Sequence, residues 1–408
     1  MAMDDWDARK AEIYGAFSPG APIKLLEDLS GREEQAARLR NVILSAGEHA
    51  LIYGERGVGK TSISNTFYGN LNAPTRNVRA IHVNCGDADF GTIWRKVFRR
   101  ISAPAGSEAR SLDQLYPGEI TPDDIEVEFA DFGLNELPIF VLDEFDRVTD
   151  SRTKLMMTDL IKALSDHGSH AKLVLVGIAE NAGELLEHHR SISRALKQVK
   201  MPRLSLEDLE RIVTVRYNRC GMRIEDEALF QIAFLSRGLP YYSHLVGRHA
   251  ALAALSEKRS LVKDDDVFAG LAEAVKEVDQ TITEDYLEAI RSQRNEDTLF
   301  EPVLIACALA DPDELGKFQQ AGVAAPLSEI SPRTPPYSAA TFAFHMNEFC
   351  EPKRKSILER DGETRNYRYA FTDAMMQPYV IIRALQNGKL SRSTFEKFVA
   401  RRQRSLPI

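Results

Sequence analysis

Gly54-Glu55-Arg56-Gly57-Val58-Gly59-Lys60-Thr61 follows the short apolar run HALIYG (49–54) and leads into a helical stretch beginning near Ser62. The octet has the spacing GxxxxGK[ST] in the strand-loop-helix setting that gives this spacing meaning. Its glycines let successive N–H groups turn into one concavity, which suits phosphate oxygens, and the start of the following helix adds positive potential. Lys60 is then placed to reach the β- and γ-phosphates, and the Thr61 hydroxyl to meet Mg²⁺. The expected nucleotide-binding residues are therefore Gly54 through Thr61, with Ser62 next in line.

A second stretch, IFVLDEFDRV (139–148), ends an apolar strand in adjacent carboxylates. Two acids at the tip of a buried strand are costly unless a cation or water serves them. Asp143 is expected to hold Mg²⁺ and Glu144 to orient and deprotonate an attacking water.

Around these motifs lie further strand-like runs, RAIHVNC (79–85), PIFVLDE (138–144) and KLVLVG (172–177), separated by helical segments, with VKMPRL (199–204) as a fifth. Alternation of this kind predicts an α/β fold with a parallel sheet covered by helices on both faces. Residues 1–30 read as a leading segment and 31–47 as an amphipathic helix. A polar, Gly/Pro-bearing link (103–124) reads as a surface excursion that ends where Thr121 caps a helix with Pro122 in its first turn. Beyond Leu204 the pattern is helical, with Ser205 as a cap, through about residue 275. A further helix at 277–292 leads to helices at 297–310, 313–322 and 338–349. The run SILER, an Asp361-Gly362 turn and ETRNYRYAF then predict a hairpin, so this third unit has a winged-helix pattern. Residues 386–408 read as a basic tail.

The two motifs on this strand pattern resemble the AAA+ ATPases, and the DEFD form with GREEQ (31–35) resembles the clade of archaeal and eukaryotic replication initiators. The resemblance spans roughly 20–385 and implies a parallel five-stranded P-loop core (31–204), a helical lid (205–276) and a C-terminal winged helix (277–385). It implies ATP, Mg²⁺, ATP hydrolysis and a homo-oligomer. A polar sensor is implied in GIAEN, at Glu180 or Asn181, and an arginine finger in HHRSISRALKQ, with Arg194 the better match and Arg190 the alternative. In the lid, Gly238 is followed by Leu239, Pro240 and Tyr241 where initiators carry a sensor arginine. GLPYYSH instead resembles the GxP turn of STAND ATPases and the lids of bacterial transposition-helper ATPases, which implies that Pro240 lies near adenine. Arg237, His244 and Arg248 read as helix-surface residues.

Composition sets the outer limits: 408 residues, 44% hydrophobic, 27% charged and net charge -8 describe an ordinary globular protein of several cores. No apolar run approaches the roughly 20 residues of a membrane span, and the acidic start MAMDDWDARK has no signal-like stretch, so a cytoplasmic protein without membrane contact is expected. Cysteines 85, 220, 307 and 350 form no CxxC pair and read as reduced thiols. Residues 291–408 carry 17 Lys/Arg against 14 Asp/Glu, whereas the rest is acidic. Duplex DNA is therefore one expected partner, through Lys353, Arg354, Lys355, Arg365, Arg368 and the tail cations. The helix at 338–349 contains no Lys or Arg, so a protein partner, met by a STAND-like signalling switch, stands as the alternative.

Overall fold

The computed structural model describes residues 3–23, 29–69, 71, 77–104, 106–130, 132, 135–179, 192–291, 299–313, 316–362 and 367–405. It divides into two compact units, one of residues 22–55 and 59–202, the other of 1–21, 56–58 and 203–408. Helix α1 (Met3–Ala16) opens the chain and belongs to the second unit.

The first unit contains α2 (Glu33–Leu44), β1 (His49–Gly54), α3 (Lys60–Thr66), β2 (Asn77–Asn84), α4 (Phe90–Phe98), α5 (Pro122–Ala130), β3 (Glu136–Asp143), α6 (Ser151–Asp166), β4 (Lys172–Ile178) and β5 (Leu196–Lys200). The strands form one parallel sheet in the order β2-β3-β4-β1-β5. Central β3 and β4 are buried along almost their whole length, as continuous Val/Ile/Leu runs require when both faces are covered. Trp94 of α4 and Phe129 of α5 pack on Phe140 of β3, whose ring lies flat on Phe129 at 4.3 Å between centroids. Thr121 and Asp124 form the expected cap of α5, each side chain bonding the other's backbone N–H. The link before it is pinned to the core, because Arg95 donates to the carbonyls of Tyr116 and Gly118 and Ile120 is fully buried.

The fifth strand is Leu196–Lys200 rather than 199–204. His49 N–H donates to Ala195 O and Met201 N–H to Tyr53 O, which brackets the pairing with β1. Pro202 has no N–H to continue the ladder.

The second unit adds α7 (Leu206–Arg219), capped by Ser205 as expected, then β6 (Arg223–Ile224), α8 (Asp226–Ser236), α9 (Pro240–Ser256), β7 (Leu261–Val262), α10 (Asp264–Glu277) and α11 (Gln280–Ile290). Phe17, just past α1, sets its ring edge-on to Tyr217. Next come α12 (Phe300–Leu309), β8 (Phe318–Gln319), α13 (Ala321–Ile330), α14 (Ala339–Phe349), β9 (Leu358–Asp361), β10 (Arg368–Phe371), α15 (Met376–Gln386) and α16 (Arg392–Ser405). The last three strands form an antiparallel sheet in the order β8-β10-β9.

Two expectations change here. The segment read as a helix over 313–322 contains β8, since Phe318 pairs with Tyr369 on β10, and Lys317 N–H donates to Asp313 Oδ1. The helix starts only at Ala321. The segment read as a tail contains α16, whose Phe395 and Val399 are buried, Phe395 edge-on to Phe234 and Phe268.

Helix α10 crosses α9 closely at Gly270, where an added Cβ would lie 2.7 Å from the His249 carbonyl carbon and 2.9 Å from Ala250 N. Both atoms are backbone and cannot swing aside. Gly270→Ala is expected to destabilise the protein by about 1–3 kcal/mol through overpacking, outweighing a helix-propensity gain of up to ~1 kcal/mol. Urea unfolding of the variant checks this, and an unchanged midpoint would mean that the helices separate freely.

Candidate nucleotide-binding site

β1 ends at Gly54 with φ 151°, and a side chain there would strike Met201 O at 2.5 Å. Gly57 and Gly59 take φ 84° and 96°, values that L residues rarely adopt. Nothing lies within 4 Å of a Cβ built on Gly59, so that glycine serves the backbone turn and leaves open space above the loop. Lys60 begins α3 and its ammonium donates to Gly54 O at 2.9 Å and Glu55 O at 2.7 Å. The cation is thereby held at the loop. Val58 is fully buried. Within the second unit, to which 56–58 belong, Arg56 pairs with Asp373 at 2.9 Å and Asp279 at 3.2 Å, so its side chain is engaged by carboxylates and its backbone remains for the loop.

The end of β3 meets the start of α3. Thr61 Oγ1 donates to Asp143 Oδ2 at 2.9 Å, and Glu144 N–H donates to Asp143 Oδ1 at 2.8 Å. A hydroxyl and a carboxylate at this distance are hard oxygen donors suited to a small divalent cation that keeps most of its waters, so the residues fit Mg²⁺. Burial raises the Asp143 carboxyl above its ordinary range and Glu144 adds repulsion, while the Glu144 N–H, the Thr61 hydroxyl and Lys60 pull the other way. A bound cation would relieve that cost.

Glu144 sits at φ 54° and ψ 39°, a left-handed conformation that is sparsely populated for a non-glycine residue. Buried Phe145 and a turn at 145–147 hold it there. Its Oε2 lies 3.1 Å from Arg147 Nη1. Asp146, given no role by the sequence reading, accepts from Ile178 N–H at 2.9 Å and so ties this turn to the end of β4. The only signal for it was a third acid in DEFD. Cys85 N–H donates to Asp143 O, and burial pushes the Cys85 thiol up to about 12, which leaves it protonated and inert.

Arg194 is exposed in the turn before β5. Arg190, Glu180 and Asn181 lie outside the described residues. Pro240 is the first residue of α9, in the second unit, where a missing N–H costs nothing. Arg237, His244 and Arg248 are not on a helix surface, being 9%, 4% and 8% exposed. Arg237 lies at the end of α8 and donates to Ala310 O, His244 Nδ1 accepts from Ser18 N–H, and Arg248 pairs with Glu277 and covers the Tyr14 ring. Each closes a contact between helices or with the segment after α1, a demand that sequence periodicity does not register.

Residues 43–186 match the AAA domain family. Among solved structures, the ORC2 protein of Aeropyrum pernix, in ADPNP and ADP complexes, is similar at 13% identity and TM-score 0.53 over 96% of this chain and 98% of that one. The Walker-type ATPase Paby2304 of Pyrococcus abyssi is similar at 15% identity and TM-score 0.54 over 89% and 99%. At these identities the likeness is one of fold. The first unit has the AAA+ P-loop core.

The Asp143 carboxyl has a pH consequence. Its folded pKa is raised, so its stability contribution is complete below the unfolded value of about 3.9 and is lost as pH rises through the folded value. Asp143→Asn is therefore expected to raise the Tm of nucleotide-free, Mg²⁺-free protein at neutral pH, with the gain vanishing below about pH 4. Thermal unfolding across pH measures this. Equal Tm values at neutral pH would show that the Thr61 and Glu144 hydrogen bonds already offset the burial.

Proposed function

We propose that the protein binds and hydrolyses ATP and works as a nucleotide-controlled oligomeric switch, with a core at 31–204, a lid at 205–276 and a winged helix at 277–385. The observation that carries the reading is the convergence of Lys60, Thr61, Asp143 and Glu144 where β1 and β3 end, with Thr61 bonded to Asp143. In this reading the loop's N–H groups and Lys60 bind the β- and γ-phosphates. Mg²⁺, held through Thr61 and Asp143, would neutralise charge on the phosphate oxygens. Glu144 orients a water and takes its proton as the water oxygen bonds to the γ-phosphorus and the bond to the ADP oxygen breaks. Arg194 is the proposed finger to a neighbouring subunit, with Arg190 as the alternative, and Glu180 or Asn181 the proposed sensor.

Duplex DNA through the winged helix and a protein or invader ligand are the two candidate triggers, and one observation favours the second. Among the described residues, most of the cations expected to meet phosphates are engaged internally. Lys353 pairs with Glu348, Lys355 with Asp285, Arg368 with Asp313, Arg392 with Asp264 and Asp265, and Arg401 with Glu329. Arg354 is buried and donates to backbone carbonyls. Each exposed pair is worth only about 0–1 kcal/mol, yet a phosphate that displaced the carboxylate would leave that negative charge beside it. The outward positions of α14 include Ala340, Phe344 and Asn347, with Phe344 60% exposed and no cation among them. A STAND-like switch that assembles on a partner suits this surface better than a clamp on duplex phosphates.

Lys60→Ala is expected to abolish nucleotide binding, and Glu144→Gln to bind ATP normally while turnover falls by at least about 100-fold, the scale of general-base catalysis. Equilibrium binding and phosphate release read the two separately, and equal turnover by Glu144→Gln and wild type would remove that acid from the mechanism. Arg194→Ala alone is expected to be slow and to recover when mixed with Glu144→Gln, since each then supplies what the other lacks. Absence of recovery would confine Arg194 to its own subunit. ATP turnover with and without duplex DNA at two salt concentrations separates the triggers: stimulation that fades with salt would restore the duplex reading.

A further inference from the structure

A polar cavity of about 300 Å³ opens in the second unit between β8, the start of α13, α14 and the β9–β10 hairpin. Amide groups with a fixed sense line it. Asn347 Oδ1 accepts from Arg360 Nη1 at 2.8 Å and from the Tyr369 hydroxyl at 3.5 Å. With its oxygen committed to these donors, Asn347 offers a ligand its two amide N–H groups. Gln320 Nε2 donates to Ala339 O at 2.8 Å, which leaves the Gln320 carbonyl oxygen as an acceptor. The Arg360 guanidinium lies 5.0 Å from the centroid of the Tyr367 ring and forms a flat, cationic and aromatic pair at the same cavity.

An amide donor and an amide acceptor beside a flat π surface suit the edge and face of a nucleobase. The volume is sufficient for a base, and an apolar side chain would leave these amides unpaired. The neighbouring Lys317 and Arg368 are held by Asp361 and Asp313, so recognition here runs through the base rather than along a row of phosphates. In a duplex the base is stacked and its pairing edge occupied, whereas an unpaired base presents both edge and face.

We propose that this cavity holds one unpaired base of a single-stranded nucleic acid, bonded at its edge by Asn347 and Gln320 and stacked on the Arg360 guanidinium, which Tyr367 backs. The inference stands on the second unit alone and gives the trigger a chemistry that the ATPase reading does not supply. Fluorescence anisotropy of labelled oligo-dA, oligo-dT and the duplex they form, titrated with the full chain in the absence of ATP, tests it. One of the single strands is expected to bind about tenfold or more tighter than the duplex. Asn347→Asp, which turns the two donors into acceptors, and Arg360→Gln are each expected to weaken that strand by about tenfold, the scale of a good base-edge contact. Melting midpoints close to wild type establish that both variants fold. Duplex binding as tight as either strand, wild-type affinity in both variants, or no binding by any strand overturns the proposal. Displacement of the strand by micromolar AMP from the Lys60→Ala protein would assign the cavity to a free nucleotide and overturn the strand reading. ATP turnover is not read in this experiment, so the two proposals fail independently.

Discussion

The hydrogen bond from Thr61 to Asp143 joins two parts of the chain that lie 82 residues apart. It forms because β1 and β3 run parallel, each paired with β4 between them, so the loop after one strand and the carboxylate ending the other emerge at the same edge. A parallel sheet places all its strand ends of one kind on one side, and an α/β fold gathers its ligand chemistry there. The positive φ at Gly54, Gly57 and Glu144, the burial of Phe145 and the Asp146 bond to β4 all serve to hold that edge in shape. Desolvation of Asp143 is the cost of this arrangement, and a cation is its natural remedy.

The second unit obeys a different constraint. Its helices cross closely, and its arginines and histidines are drawn inward to close the gaps. Arg237 reaches a carbonyl of the α12–β8 connection, Arg248 meets Glu277, and Arg392 bridges α16 to the start of α10. Cations held in such bridges are not offered to a polyanion, so the excess of Lys and Arg over residues 291–408 does not by itself make a polyanion-binding surface. What it does present is an apolar Phe344 on α14 and an amide-lined cavity beside the hairpin.

Much of the first unit was legible because its signals are local. The run HALIYG coincides with β1, Thr121 caps α5 as its spacing requires, and the loop glycines adopt the positive φ that their pattern demands. The fifth strand was read three residues late, since its limits are set by pairing with β1 and by Pro202 rather than by its own hydrophobicity. The stretch 313–322 was misread for the same reason: Phe318 extends because Tyr369, about fifty residues on, offers it a ladder.

The sequence by itself determined the glycine-rich loop at 54–61, the paired acids and the strand that carries each, because backbone conformation and apolar periodicity act over a few residues. Tertiary structure alone decided that Thr61 meets Asp143, that Asp146 closes onto β4, and that the cations of 353–402 are largely paired or buried rather than free. Those outcomes depend on which distant residues the fold brings within about 3 Å, the range over which a hydrogen bond or ion pair acts, and no pattern along the chain encodes that proximity.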